Sequence, residues 1–168
     1  PDAPCIRVCC GTGCKAVGSL DVLEAMKSAV AAAGADVRVM PEVKRTGCHG
    51  FCSRGPLLTL HPQGLFYQRV KPEDAAEIVQ KTVVGGEVAP RFLYKPPGAK
   101  ETIAKVRDIP FFAKQTKLVL KRVGRIDPFD IRDAIADGAY EGLAKVLSGM
   151  TPHQVIEEIK TSRLRGRG

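Results

Sequence analysis

Five of the six cysteines fall in two short clusters, Cys9-Cys10-Gly11-Thr12-Gly13-Cys14 and Cys48-His49-Gly50-Phe51-Cys52. Thiols grouped in this way can form disulfides, bind zinc, act as a redox dithiol or hold an iron–sulfur cluster. Six cysteines among 168 residues are well below the roughly 8–10% of a disulfide scaffold. Zinc ribbons are normally built from Cys-x2-Cys knuckles, and no such spacing occurs in the chain, which also argues against a thioredoxin-type dithiol. The productive spacings are Cys9-x4-Cys14 and Cys48-x3-Cys52. Four thiolates on two glycine-bearing loops suit two irons, one pair per loop, with the amides of Gly11, Gly13 and Gly50 able to hydrogen-bond the sulfurs. A [2Fe–2S] cluster fits that set. A plant-type ferredoxin would carry Cys-x4-Cys-x2-Cys in one loop, and a Rieske centre needs two histidine ligands. Of the three histidines, His49, His61 and His153, none shares a local spacing with another, so His49 reads as a polar loop residue near the cluster.

The elements that position these loops follow from periodicity. Cys5 to Cys9 alternates as a strand, with Ile6 and Val8 on one face and Arg7 on the other. Leu23, Met26, Val30 and Ala33 step by three or four residues, predicting a helix over 20–33 with Ser19 as cap and Gly34 closing it. Val37 to Met40 reads as a second strand, and 46–54 as the loop carrying the second cysteine pair. Leu57–Leu60 and Leu65–Val70 read as a hairpin around His61-Pro62-Gln63-Gly64, and Pro72 opens a helix that Gly85-Gly86 ends. The order is β-α-β-β-α, an α/β fold in which helices cover a small sheet.

Beyond Ala89 the chain turns rich in proline and lysine. Lys95-Pro96-Pro97-Gly98 continues neither helix nor ladder, which places a linker over 91–110 between a domain at 1–90 and a mainly helical unit at 111–168. In that unit Lys117 to Lys121 is expected as a strand. Helices are expected from Asp127-Pro128, around Ala139 to Leu147, and from Thr151, whose partner Gln154 completes a capping box. The net charge of +8 lies in this half: residues 91–168 hold sixteen Lys/Arg against nine Asp/Glu, and residues 1–90 ten against nine. Near the cysteines Lys15, Lys44, Arg45 and Arg54 read as solvated loop charges, with tuning of a cluster or docking of a partner as the alternative. Aromatic residues make up 5% and tryptophan is absent, which speaks against a nucleic-acid reader. With neither a long apolar run nor a secretory leader in the sequence, a soluble, cytoplasmic protein without direct membrane insertion is expected.

Val8-Cys9-x4-Cys14 with Gly18-Ser19, followed by Gly47-Cys48-x3-Cys52-x3-Pro56 and a hairpin strand, resembles the thioredoxin-like [2Fe–2S] ferredoxin domain. Phe111-Phe112-x2-Gln115, Gly124-x-Ile126-Asp127-Pro128, Gly138-Ala139-Tyr140-x2-Leu143 and the stretch from Ser162 to Gly168 resemble the opening of the NADH- and FMN-binding flavoprotein subunit of respiratory complex I. That subunit type also serves NAD-dependent hydrogenases, formate dehydrogenases and electron-bifurcating complexes. The resemblance implies Cys9, Cys14, Cys48 and Cys52 as cluster ligands, and Arg165, Gly166, Arg167 and Gly168 as the first part of a loop around FMN. Cys10 falls outside the pattern and reads as a small buried thiol; Cys5 reads as a packed strand residue. FMN, NAD and [4Fe–4S] clusters are then expected in a longer subunit, of which these 168 residues alone would not oxidise NADH. No catalytic residue is expected here. Further iron–sulfur subunits, a hydrogenase, a formate dehydrogenase or another reductase would be the partners. The alternative is a free-standing ferredoxin that docks transiently on a reductase.

Overall fold

Alternation in β1 (Cys5–Cys9) gives the strand two unlike faces, and each finds a different cover. The computed structural model describes residues 4–34 and 41–166, and the chain divides into two units, Pro1–Phe129 and Asp130–Gly168. In the first, β1 lies parallel to β2 (Glu42–Thr46) and antiparallel to β3 (Leu58–His61), which pairs antiparallel with β4 (Leu65–Tyr67). The order is β2-β1-β3-β4. A parallel pair needs a crossover; here it runs through the short α1 (Thr12–Lys15) and then α2 (Ser19–Ala32).

Ile6 and Val8 face Leu60 and Leu58 across the strand pair, and these in turn face Leu65 and Tyr67. Onto this face pack Val22, Leu23, Met26 and Val30 of α2, and Ala75 and Ile78 of α3 (Ala75–Ile78). α3 sits inside one helical run that starts with a 3-10 turn at Pro72–Asp74 and ends with a π turn at Val79–Val84. The Asp74 carboxylate accepts the Lys71 N–H at 2.8 Å, closing the entry to this run. The Tyr67 hydroxyl, buried in the same core, meets Thr82 Oγ1 at 2.8 Å and accepts the Ala89 N–H at 2.9 Å.

Two expectations shift here. The cap of α2 is Gly18, at φ 87°, and Ser19 is buried in the first turn; a left-handed cap is open to glycine at little cost. The strand expected over 37–40 lies outside the described residues, whereas a strand is found over 42–46, ending at Thr46 where the loop is expected to begin. Its sequence, Glu-Val-Lys-Arg-Thr, carries charges because it forms the sheet edge, where charged residues suppress further pairing.

The opposite sheet face is covered by the segment expected to be a linker. Tyr94, Ile103, Val106, Ile109 and Phe112 pack with Cys9, Leu57 and Phe66. Phe66 donates its N–H to Ala104 O at 2.8 Å, Val106 to Gly64 O at 3.0 Å, and Gln68 to Phe92 O at 2.9 Å. Proline prevents a regular ladder but not burial, and large apolar residues spaced through the stretch anchor it. Residues 91–110 are therefore attached along the sheet, followed by α4 (Pro110–Ala113). The strand expected at 117–121 is absent among the described residues; that stretch is bends and turns, with Leu118, Val119 and Leu120 exposed and no strand edge beside it.

The second unit holds α5 (Ile131–Ala136), α6 (Glu141–Gly149) and α7 (Pro152–Ser162). Asp130 caps α5 by accepting the Arg132 N–H at 2.9 Å. The start expected at Asp127-Pro128 lies three residues too early, because Asp127 closes its own turn onto the Phe129 N–H at 2.9 Å. The capping box of α7 forms as read: Thr151 N–H donates to Gln154 Oε1 at 2.8 Å and Gln154 N–H to Thr151 Oγ1 at 3.4 Å. Ile131, Ile135, Leu143, Leu147, Ile156 and Ile159 remain exposed. Among the described residues no helix is long and apolar enough to cross a membrane.

Candidate metal centre

Both cysteine loops leave the same end of a parallel strand pair. β1 ends at Cys9 opposite Thr46, the end of β2, and Cys10 N–H donates to Thr46 O at 2.9 Å while Cys9 N–H donates to Leu57 O at 3.0 Å. The first loop turns at Gly11 into α1, which presents Cys14; the second passes Cys48 and Gly50 and enters a 3-10 turn at Cys52–Arg54.

The loops touch through glycines. A Cβ on Gly11 would lie 2.6 Å from Cys48 Cβ, one on Gly13 3.0 Å from Cys52 Sγ, and one on Gly55 2.8 Å from Cys14 Sγ. Each is shorter than ordinary van der Waals contact, so a side chain at any of these positions would force the facing cysteine to shift. Gly50, at φ 78°, donates its N–H to Cys48 Sγ at 3.3 Å.

The four thiols come as two pairs. Cys48 Sγ and Cys52 Sγ are 3.9 Å apart on an exposed loop, and Cys9 and Cys14 are buried and hydrogen-bonded to each other. Cys9 is pulled down to about 4 by the hydrogen bond from Cys14, against burial, with further help from His49 and the Gly11 backbone. Cys14 is pushed up by the same bond and by burial. Cys52 is likewise raised, first by its hydrogen bond to Cys48. A metal bound here would have to displace the thiol protons of both pairs. Among the described residues no three His, Cys, Asp or Glu side chains gather around a point that one ion could occupy. Two thiol pairs brought to one end of the sheet are a donor set that would suit a [2Fe–2S] cluster.

Cys10 lies in the helix-covered core and Cys5 in β1, both buried and both with burial pushing the thiol up. Arg45 lies 3.5 Å from Asp127 and 4.5 Å from the centre of the Phe129 ring; Arg54 lies over Tyr94, and Lys44 pairs with Glu42 at 3.0 Å. These loop cations are held by partners of their own rather than being only solvated. Arg165 and Gly166 are exposed coil after α7, while Arg167 and Gly168 lie outside the described residues. Spacing did not single out Gly55 or the aromatic floor. Phe51, between the outer cysteines, stacks on Phe111 at 5.1 Å and meets Tyr94 and Phe112 edge-on; an aromatic residue inside a ligand loop was the available signal.

Residues 2–83 match the model of the thioredoxin-like [2Fe–2S] ferredoxin family. A [2Fe–2S] ferredoxin of Clostridium pasteurianum is 33% identical over 78 residues, 46% of this chain and 74% of that one. A [2Fe–2S] ferredoxin of Aquifex aeolicus is 46% identical over 56 residues, 32% of this chain, and the match spans half of that relative's length. The NADP-reducing hydrogenase subunit HndC of Solidesulfovibrio fructosivorans is 53% identical over 55 residues, 33% of this chain and 11% of the subunit. The crystal structure of the wild-type Aquifex aeolicus thioredoxin-like ferredoxin aligns with a TM-score of 0.51 at 28% identity, over 56% of this chain and 99% of that one. The fold is that of a thioredoxin-like [2Fe–2S] ferredoxin. The chain belongs to the thioredoxin-like [2Fe–2S] ferredoxin family, with a [2Fe–2S] cluster as cofactor and electron transfer as its function.

Proposed function

We propose that Cys9, Cys14, Cys48 and Cys52 hold the cluster and that the chain works inside an NAD(H)-linked, FMN-containing, multi-subunit oxidoreductase. The observation that carries the ligand assignment is the meeting of two thiol pairs across a glycine contact, Gly11 against Cys48. When bound, the cluster supplies a one-electron couple. The chain's own residues set its surroundings: Cys9 and Cys14 hold one side away from water, Cys48 and Cys52 present the other to a partner, and the Gly50 N–H offsets charge on the Cys48 sulfur. Complex membership is supported by the likeness to a hydrogenase subunit. It is supported equally by the exposed Ile131, Leu143, Leu147 and Ile156 of the second unit, a set of faces too apolar for a unit meant to stand alone in water.

In this reading residues 1–90 are the ferredoxin domain, 91–110 its packed extension, and 111–168 the opening of a flavin-binding region. Arg165, Gly166, Arg167 and Gly168 begin a loop where backbone amides and guanidinium groups meet the FMN phosphate. NAD and [4Fe–4S] clusters belong to the remainder of such a subunit, and its partners are further iron–sulfur subunits, a hydrogenase, a formate dehydrogenase or another reductase. A free carrier is the second reading, favoured by the ferredoxins of Aquifex and Clostridium. Anaerobic purification from the native cells separates the two. A flavin-bearing assembly whose [2Fe–2S] signal appears on adding NADH is expected; a flavin-free particle of this chain alone would establish the carrier. About two irons and two sulfides per chain are required by either.

A further inference from the structure

A cavity of about 700 Å³ opens on the sheet face away from α2, beside the apolar cluster around Phe66, with which it shares Val106 and Phe112. Its floor follows from strand register. Arg7 faces Thr59 across β1 and β3, and His61 follows two residues on, on the same face. The walls add Lys105, Arg107, Lys117 and Arg125, and none of the lining residues carries a carboxylate. Just outside, Asp108 approaches Arg107 at 3.7 Å, which offsets part of one of these charges.

The polar floor is not satisfied by the protein. Arg7 spends one guanidinium nitrogen, Nη1, on Gly124 O at 3.3 Å, but its buried Nε has no partner. Thr59, 2% exposed, lines the same cavity, and its Oγ1 is likewise without a partner. Buried polar groups left unpaired are costly, and such groups converging on one concave space mark a place where a ligand completes the hydrogen bonds. The complement of several cations, a guanidinium N–H and a hydroxyl is an oxyanion. The cavity is much larger than one phosphate, and Pro62, Val106 and Val123 add apolar wall for an organic portion.

We propose that this cavity binds a small molecule bearing a diphosphate or comparable phosphoryl dianion, with Arg7 and Thr59 on the oxygens at its floor and Lys105, Arg107 and Lys117 at its mouth. It is separate from the four thiols, although His49 adjoins both.

Titration calorimetry of the cluster-loaded protein with inorganic pyrophosphate at low salt tests this, with orthophosphate as the smaller probe. One saturable site per chain is expected, tighter for pyrophosphate. Binding is expected to weaken at least tenfold in Arg7→Gln and in the exposed double variant Lys105→Gln/Arg107→Gln, and to stay unchanged in Lys95→Gln/Lys100→Gln, whose cations do not line the cavity. Cluster absorbance on the same samples reports folding, and if Arg7→Gln loses it the double variant decides. Absence of saturable heat would overturn the proposal. So would equal weakening by both lysine-containing double variants, the mark of adventitious binding to a basic surface.

Discussion

Gly11→Ala is the sharpest probe of how the two cysteine loops meet. Gly11 has φ −64° and ψ 160°, ordinary extended backbone, so alanine brings no conformational strain and the whole effect is contact. The new methyl would sit 2.6 Å from Cys48 Cβ, 2.9 Å from its Cα and 3.1 Å from its Sγ, against roughly 3.5–4.0 Å for carbon atoms in contact. Relief requires about 1 Å of movement, and because Cα belongs to the backbone no rotamer supplies it. Overpacking of this kind costs about 1–3 kcal/mol, a fall in Tm of roughly 2–12 °C for a chain of this size. Metal sites tolerate about 0.2 Å in ligand position, so the cluster content should fall further than the stability. Visible absorbance per chain after anaerobic reconstitution, with thermal melts, measures both. Gly142→Ala is the control: its Cβ meets nothing within 4 Å, it lies within α6, and it should be neutral or stabilising by up to about 1 kcal/mol. Wild-type cluster content and Tm in Gly11→Ala would refute the loop contact.

Among the thiols, Cys9→Ser, Cys14→Ser, Cys48→Ser and Cys52→Ser are each expected to alter or abolish the cluster's EPR signal, whereas Cys10→Ser, in the helix-covered core, should keep it; a spectrum sensitive to Cys10 alone would shift the ligand register by one. Tyr67→Phe removes the hydroxyl shared by Thr82 and the Ala89 N–H. That leaves two buried groups unpaired and should cost about 1–3 kcal/mol in urea unfolding, with cluster spectra unchanged. His61 is pulled down to about 4 by burial and by the Arg7 charge. The unfolded chain therefore binds the extra proton between about 6.5 and 4, and stability should be full above that window and decline as pH falls through it. The gap corresponds to at most about 3 kcal/mol, reduced to about 1–2 kcal/mol by the ring's partial exposure. His61→Gln should flatten this part of the pH profile, and an unchanged slope would contradict the assignment.

Local pattern was enough to read β1, the face of α2, the hairpin around Gly64 and the Thr151–Gln154 capping box, because each depends on residues within a few positions of one another. The division of the cysteines into two outlying pairs was legible for the same reason: spacing alone separates Cys9-x4-Cys14 and Cys48-x3-Cys52 from the knuckles of zinc sites. What spacing could not convey was partnership across the chain. Residues 42–46 are a strand only because β1 offers them a parallel edge, and the proline-rich stretch after Ala89 is a cover rather than a tether because Phe66 and Leu57 present an apolar face to it. The need for glycine at positions 11, 13 and 55, and the unsatisfied floor of Arg7 and Thr59, exist only once distant segments are brought together. The sequence by itself set the spacing of the thiols proposed to bind iron. Tertiary packing decided how close those atoms come and what covers them, since contact between segments far apart in sequence depends on burial and register, which no local window contains.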